Sequence, residues 1–227
     1  MPIAVGDIHG CFETLQRLID KLPPGEELVF LGDYIDRGPH SSRVAQYLQL
    51  LGKQRPCRFL MGNHERMMLD AIEDRQIVPH WLMNGGTTTL ISYGTSQRDW
   101  AGAKDRRVFL GKHLAFYAGL SLYWEDEQTI YVHAGIDVGI HDMRAQSPET
   151  LLWIRDKFFN NAHLWSGKQI VFGHTPTRTL GLSGKQIFQK ERFFGIDTGC
   201  VYGGYLTAWD SETHRLWQER SAFPPPL

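Results

Sequence analysis

Six short stretches of this chain set metal-binding or phosphate-binding side chains directly after an apolar run, five of them beside a glycine. They read Gly6-Asp7-Ile8-His9-Gly10, Gly32-Asp33-Tyr34-Ile35-Asp36-Arg37-Gly38, Gly62-Asn63-His64-Glu65, His133-Ala134-Gly135, Trp153-Ile154-Arg155 and Gly173-His174-Thr175. A buried strand that ends on a glycine turn and a polar side chain leaves few options for the chain that follows. Ile3 to Val5, Leu28 to Leu31 and Cys57 to Met61 are short, apolar and rich in β-formers, as buried strands should be. Between them, Phe12, Leu15, Leu18, Ile19 and Leu22 fall on one helical face that Pro23-Pro24-Gly25 terminates. Val44, Tyr47, Leu48 and Leu51 make a second stripe, with Ser41 or Ser42 as N-cap and Gly52 near its stop. A third helix should begin near His64 and carry Met67, Met68, Ala71 and Ile72. Strand–helix–strand units of this size favour a mostly parallel sheet with right-handed crossovers.

Residues 77–112 show no strand ladder and are expected to form short helices around an Asn84-Gly85-Gly86 turn, on the substrate side of the molecule. Leu120 to Trp124 and Thr129 to His133 read as a hairpin, and Ser147-Pro148-Glu149 starts a helix with proline at its first position. Ile170 to Phe172, Phe193 to Ile196, Leu206 to Trp209 and Leu216 to Gln218 are four further strands, and 221–227 is a tail containing Pro224-Pro225-Pro226. With no linker or repeat, the economical reading is a single α/β domain over 1–227, a two-sheet β-sandwich flanked by helices. A net charge of −1 without basic blocks gives no electrostatic support for nucleic-acid binding. No apolar stretch approaches the ~18 residues that cross a bilayer, no signal peptide is evident, and the three cysteines do not form a disulfide framework. A cytoplasmic location follows as the expectation.

The chemistry is legible residue by residue. Asp7 and His9 stand two apart, so an extended backbone points both side chains toward one metal. Asp33 repeats the arrangement after the second strand, and its two carboxylate oxygens can bridge two cations. Asn63 offers a hard amide oxygen suited to Mn²⁺ or Mg²⁺, and His133 and His174 offer imidazole nitrogens. This set, shared through Asp33, fits a dinuclear site that clamps the attacking and leaving oxygens of an in-line displacement. His64 diverges from its neighbour Asn63 toward the adjoining pocket, where a leaving alkoxide needs a proton, and Asp36 would hold the imidazole in place. Arg37 and Arg155 are the candidates for gripping phosphate oxygens. The expected activity is metal-dependent phosphoester hydrolysis.

Gly-Asp-x-His-Gly, Gly-Asp-x-x-Asp-Arg-Gly, Gly-Asn-His-Glu, His-Ala-Gly and Gly-His-Thr, with His80-Trp81-Leu82-Met83-Asn84-Gly85-Gly86 and Ile196-Asp197-Thr198-Gly199, resemble the PPP-type metallophosphatases, the serine/threonine protein phosphatase superfamily, and most closely its small bacterial and bacteriophage lambda phosphatase-like branch. The likeness runs from Ala4 to about Ala208. It implies a calcineurin-like metallophosphoesterase fold. Asp7, His9 and Asp33 would hold one metal, and Asp33, Asn63, His133 and His174 the other. It implies direct attack by a hydroxide between the metals, His64 as acid oriented by Asp36, and Arg37 and Arg155 on the phosphoryl group. The cofactors would be two divalent ions, foremost Mn²⁺, with Fe, Zn or Mg as alternatives.

The substrate implied first is a phosphorylated protein, at phosphoserine or phosphothreonine and with phosphotyrosine also in range, or a small phosphoester. Asp36 and Glu65 look like the protein phosphatases, as does the short spacing of 37 residues between Gly135 and Gly173. The alternative is a bis(5'-nucleosyl)-tetraphosphatase, a diadenosine tetraphosphate hydrolase, which Asp197-Thr198-Gly199-Cys200, Gly203-Gly204 and the His-Ala-Gly form resemble. A metal-binding regulatory module without catalysis ranks third, because His64, Asp36 and both arginines are intact. Tyr202 is a candidate pocket residue. Trp81, Trp100 and Trp124 look exposed, with core packing as their default role, and Cys11 and Cys200 serve as small fillers.

Overall fold

The structure, a computed structural model that describes residues 2–223, joins the apolar runs into two five-stranded mixed sheets. Strands β1 (Ile3–Val5), β2 (Leu28–Phe30) and β3 (Cys57–Phe59) pair in parallel. The second sheet begins with β4 (Tyr123–Glu125), β5 (Thr129–Val132), β6 (Gln169–Phe172), β7 (Phe188–Lys190) and β8 (Phe193–Gly195). Its inner strands β5, β6 and β8 are parallel, with β4 and β7 antiparallel at the edges. The chain then returns to the first sheet as β9 (Tyr205–Asp210) and β10 (Leu216–Arg220), giving the orders β10-β9-β1-β2-β3 and β4-β5-β6-β8-β7. This is the expected two-sheet sandwich.

Alternation along each strand assigns the faces. Ala4, Val29, Tyr131 and Val171 point inward and meet Phe194 and Trp209, whose rings stack at 4.5 Å between the sheets. Their neighbours Ile3, Val5, Leu28 and Phe30 face outward beneath α1 (Phe12–Ile19), α2 (Ser41–Gln54) and α3 (Asn63–Glu73). Ile130, Val132, Ile170 and Phe172 face the other way, under a smaller layer built around Phe158 and Leu151. Burying each of these large side chains stabilises the fold by roughly 1.5–3 kcal/mol.

Residues 77–112 form the expected short helices, α4 (Val78–Trp81), α5 (Thr87–Ser92) and α6 (Gln97–Gly102) among them, with Gly85 at φ 105 in the turn. Trp81 and Trp100 are fully buried in the core rather than exposed, their rings 5.2 Å apart, and Trp124 is half-buried. Neither Ser41 nor Ser42 caps α2, since His40 takes that position. Ser41 instead accepts from the Asp36 amide, and Ser42 donates to the Ser92 carbonyl. Ser147 does cap the helix at Pro148–Trp153, accepting from the Thr150 amide. Part of the proline tail, residues 224–227, lies outside the described residues. No helix among the described residues is long and apolar enough to cross a membrane.

Candidate metal centre and active site

Each of the six parallel strands delivers a polar residue at its carboxyl end. Asp7 and His9 follow β1, Asp33, Asp36 and Arg37 follow β2, and Asn63 and His64 follow β3. His133 follows β5, His174 follows β6 and Asp197 follows β8. Carboxyl ends of parallel strands are where sheets of this kind build ligand sites. The backbone there is unusual. Of the seven non-glycine residues with positive φ among the described residues, five are His9, Asp33, Asp36, Arg37 and His174. Such conformations cost of order 1–3 kcal/mol each and persist only where surrounding contacts hold them.

Glu65 supplies much of that hold. Its fully buried carboxylate accepts from the amides of Asp33 (2.9 Å) and Gly62 (3.0 Å) through Oε2, and of Tyr34 (2.8 Å) and Ile35 (3.3 Å) through Oε1. Burial, and then the Asp33 charge, push the Glu65 carboxyl up to about 8 against the pull of those donors. Glu65→Ala is expected to destabilise the fold by roughly 3 kcal/mol or more, since several buried N–H groups lose their acceptor at ~1 kcal/mol or more each. Glu65→Gln should not rescue it, because an amide nitrogen would face two N–H donors. Chemical denaturation of the three proteins checks this, and a midpoint shift below about 1 kcal/mol for Glu65→Ala would show that the loop holds itself.

The predicted ligands converge. Asp33 lies with Oδ2 3.3 Å from His9 Nε2 and Oδ1 3.5 Å from His133 Nε2. His9, Asp33 and His64 form one group of metal-capable atoms, and Asp33, His133 and His174 a second, with Asp33 in both. Asn63 Oδ1 is 2.8 Å from His133 Nε2 and 3.0 Å from His174 Nδ1. Both oxygens of Asp7 accept from the His174 amide at 3.0–3.1 Å. That approach requires glycine at 173, where an added Cβ would lie 2.0 Å from Asp7 Oδ1.

A cation fits this set of donors. His9 donates through Nδ1 to the Ile35 carbonyl (2.7 Å) and His133 through Nδ1 to the Leu31 carbonyl (2.9 Å), so each Nε2 carries a lone pair. The His133 lone pair faces the Asp33 and Asn63 oxygens, a crowd of acceptors that a positive ion would reconcile, while His9 Nε2 faces Asp33 and also accepts from the Arg37 guanidinium. His174 Nε2 is buried without a hydrogen-bond partner. Burial lowers the pKa of His9, His133 and His174, which favours the neutral imidazoles that metals take. Burial, and then the charges of Asp197 and Asp33, hold the Asp7 carboxyl well above its usual range.

His64 stands apart in its partners. Its Nδ1 is 2.7 Å from Asp36 Oδ2, and Nε2 is 3.9 Å from Asp33 Oδ2. Asp36, fully buried, is further fixed by Trp81 Nε1 at 3.0 Å from Oδ2 and by the Thr89 hydroxyl at 2.6 Å from Oδ1. The half-buried Arg37 reaches His9 Nε2 with Nη1 at 2.6 Å, and its amide donates to the Gly85 carbonyl. Arg155 is exposed and donates to the Thr175 hydroxyl at 3.0 Å. All ten predicted site residues thus lie at one end of the sandwich, on or beside the same cluster of strand ends. The sequence reading did not select Asp197, Trp81, Thr89 or Glu65. Asp197 carried a signal, since it comes just after a strand and a glycine, Gly195, much as Asp7 and Asp33 come after Gly6 and Gly32.

The family model described as calcineurin-like phosphoesterase matches residues 2–192. The chain is 28% identical to the asymmetrical bis(5'-nucleosyl)-tetraphosphatase PrpE of Halalkalibacterium halodurans, over 90% of this chain and 87% of that one. It is 31% identical to serine/threonine-protein phosphatase 1 of Salmonella typhimurium over 208 residues, 89% and 88% of the two chains. A crystal structure provisionally named a diadenosine tetraphosphatase superposes with a TM-score of 0.70 at 20% identity, covering 97% of this chain and 93% of that one.

Proposed function

This chain belongs to the calcineurin-like phosphoesterase family, a family of hydrolases that use divalent metals, and we propose that it cleaves a dinucleoside tetraphosphate at a phosphoanhydride bond. The similarity to a tetraphosphatase over nine-tenths of the chain carries this reading, which the sequence alone ranked second. Asp7, His9 and Asp33 would hold one divalent cation, and Asp33, Asn63, His133 and His174 a second, foremost Mn²⁺. When bound, the cations supply Lewis acidity and a deprotonated water. Arg37 and Arg155 bind the non-bridging oxygens of the reacting phosphate and orient it at the carboxyl ends of β1, β2 and β6. His64, its Nδ1–H held by Asp36, delivers a proton from Nε2 to the departing oxygen. Trp81 and Thr89 keep the Asp36 carboxylate in that orientation.

A second reading, phosphoprotein dephosphorylation by a lambda phosphatase-like enzyme, is favoured by the His64–Asp36 pair. A polyphosphate departs readily without a proton, whereas a serine or threonine alkoxide needs one. The 31% identity to a serine/threonine phosphatase supports it as well. Diadenosine tetraphosphate and a phosphoserine peptide, each incubated with the Mn²⁺-loaded protein, separate the two readings. The expected result is release of a nucleoside triphosphate and a monophosphate, with kcat/KM above that for the peptide. Turnover of the peptide with the tetraphosphate left intact would overturn the proposal. No metal-dependent turnover of the dinucleotide, the peptide or p-nitrophenyl phosphate would leave a binding module.

A further inference from the structure

Arg178 is an exposed arginine that, among the described residues, has no carboxylate partner. Arg43, Arg66, Arg107 and Arg144 in similar settings pair with Glu13, Asp70, Asp105 and Asp142. Although Arg75, Arg98, Arg192, Arg215 and Arg220 also lack such a partner among the described residues, Arg178 shares an aromatic ring with an arginine of the site. It lies in the turn Thr177–Leu180, three residues beyond Thr175, and its Cζ sits 4.4 Å from the centre of the Tyr202 ring. Arg37, beside His9 and the phosphate position, approaches the same ring at 5.6 Å. Tyr202 is half-buried in the turn Cys200–Tyr202, which Gly203 closes at φ 81. The turn follows Asp197, which is buried just beyond the carboxyl end of β8. The ring thus links the guanidinium at the reaction centre to one farther out.

Resting on the tetraphosphatase reading, we propose that Arg178 binds a non-reacting phosphate of the substrate and that Tyr202 is its positioning residue. A guanidinium stacked on an aromatic face keeps its in-plane N–H edge free, and that edge matches phosphate oxygens in a fork. A carboxylate partner would occupy the edge instead. A phosphomonoester is served by Arg37 and Arg155, both next to the metal cluster. A third arginine, one ring farther out and uncommitted, has work only on a longer polyphosphate. The specificity for chain length therefore resides in Arg178, and the class of ligand it selects is a nucleoside polyphosphate or the free polyphosphate arm.

Inhibition of p-nitrophenyl phosphate hydrolysis by inorganic tripolyphosphate and by orthophosphate, at saturating free Mn²⁺, tests this. Arg178→Gln should weaken tripolyphosphate inhibition about tenfold relative to orthophosphate inhibition. Arg178→Lys should fall between, having charge without the fork. Tyr202→Ala should weaken tripolyphosphate several-fold, and Tyr202→Phe should restore it because the ring is retained. Equal effects on both inhibitors, or none, would overturn the proposal, and so would Tyr202→Phe behaving like Tyr202→Ala. The same variants assayed on diadenosine tetraphosphate keep the two readings separate. A parent protein inert on the dinucleotide but discriminating between the inhibitors removes the substrate assignment and leaves the subsite. A dinucleotide hydrolysed equally well by parent and Arg178→Gln removes the subsite and leaves the assignment.

Discussion

Replacing His64 by asparagine is expected to lower kcat on a phosphoserine peptide by roughly 10²–10⁴-fold, the usual contribution of a positioned general acid. The loss should be smaller on p-nitrophenyl phosphate or a dinucleoside tetraphosphate, whose leaving groups need the proton less. The reasoning is geometric. His64 Nδ1 is held 2.7 Å from an Asp36 carboxylate that is itself fixed by Trp81 and Thr89, so the ring has one orientation and its other nitrogen faces the cluster. His64 also lies within metal-binding reach of His9 and Asp33, which gives the same substitution a second use. A His64→Asn protein that binds two Mn²⁺ ions with parental affinity while losing turnover fits the acid role. Loss of a cation together with turnover would make His64 a ligand and end that assignment.

Asp33→Asn should weaken both cation positions together and abolish measurable turnover. Asparagine tolerates the left-handed backbone that Asp33 adopts at φ 53, so strain is not the cause. The cause is the loss of one oxygen. Asp33 Oδ2 faces His9 and Asp33 Oδ1 faces His133, so an amide NH₂ would sit on one side or the other, while the lost charge is felt on both. Outer partners of metal ligands change affinity by about 10–100-fold, and a shared ligand should exceed that in a Mn²⁺ titration. Two unperturbed binding events by calorimetry would rule out the bridging role.

The strand ends were legible in the sequence because their signal is local. An apolar run, a glycine and a ligand fall within a few residues at Val5 to Gly10, Phe30 to Asp33 and Phe172 to His174. The helix faces of α1 to α3 were legible for the same reason, since their period is written in adjacent turns. What stayed hidden depends on distant partners. Trp81 looked exposed because α4 is four residues long and shows no apolar stripe, yet its indole reaches Asp36, 45 residues away in sequence. Strand β7 carries a single apolar residue, Phe188, and exists only because β8 pairs with it.

Asp36 and Glu65 resemble the protein phosphatases in sequence, and the structure shows what each of them does. Glu65 is committed to four backbone amides, and Asp36 to His64, Trp81 and Thr89. Both are fully buried, and both shape the site from within rather than meet what enters it.

The proposed donor atoms come from both halves of the sandwich. Asp7, Asp33 and Asn63 arise from one sheet, His133 and His174 from the other, and the Asn63 oxygen sits between the two imidazoles. Ion occupancy through these residues would therefore be thermodynamically linked to the mating of the two layers. Melting temperature should climb with free Mn²⁺ as mass action on the native state requires, and a chelator should act on this protein as a mild denaturant even where no catalysis is being measured.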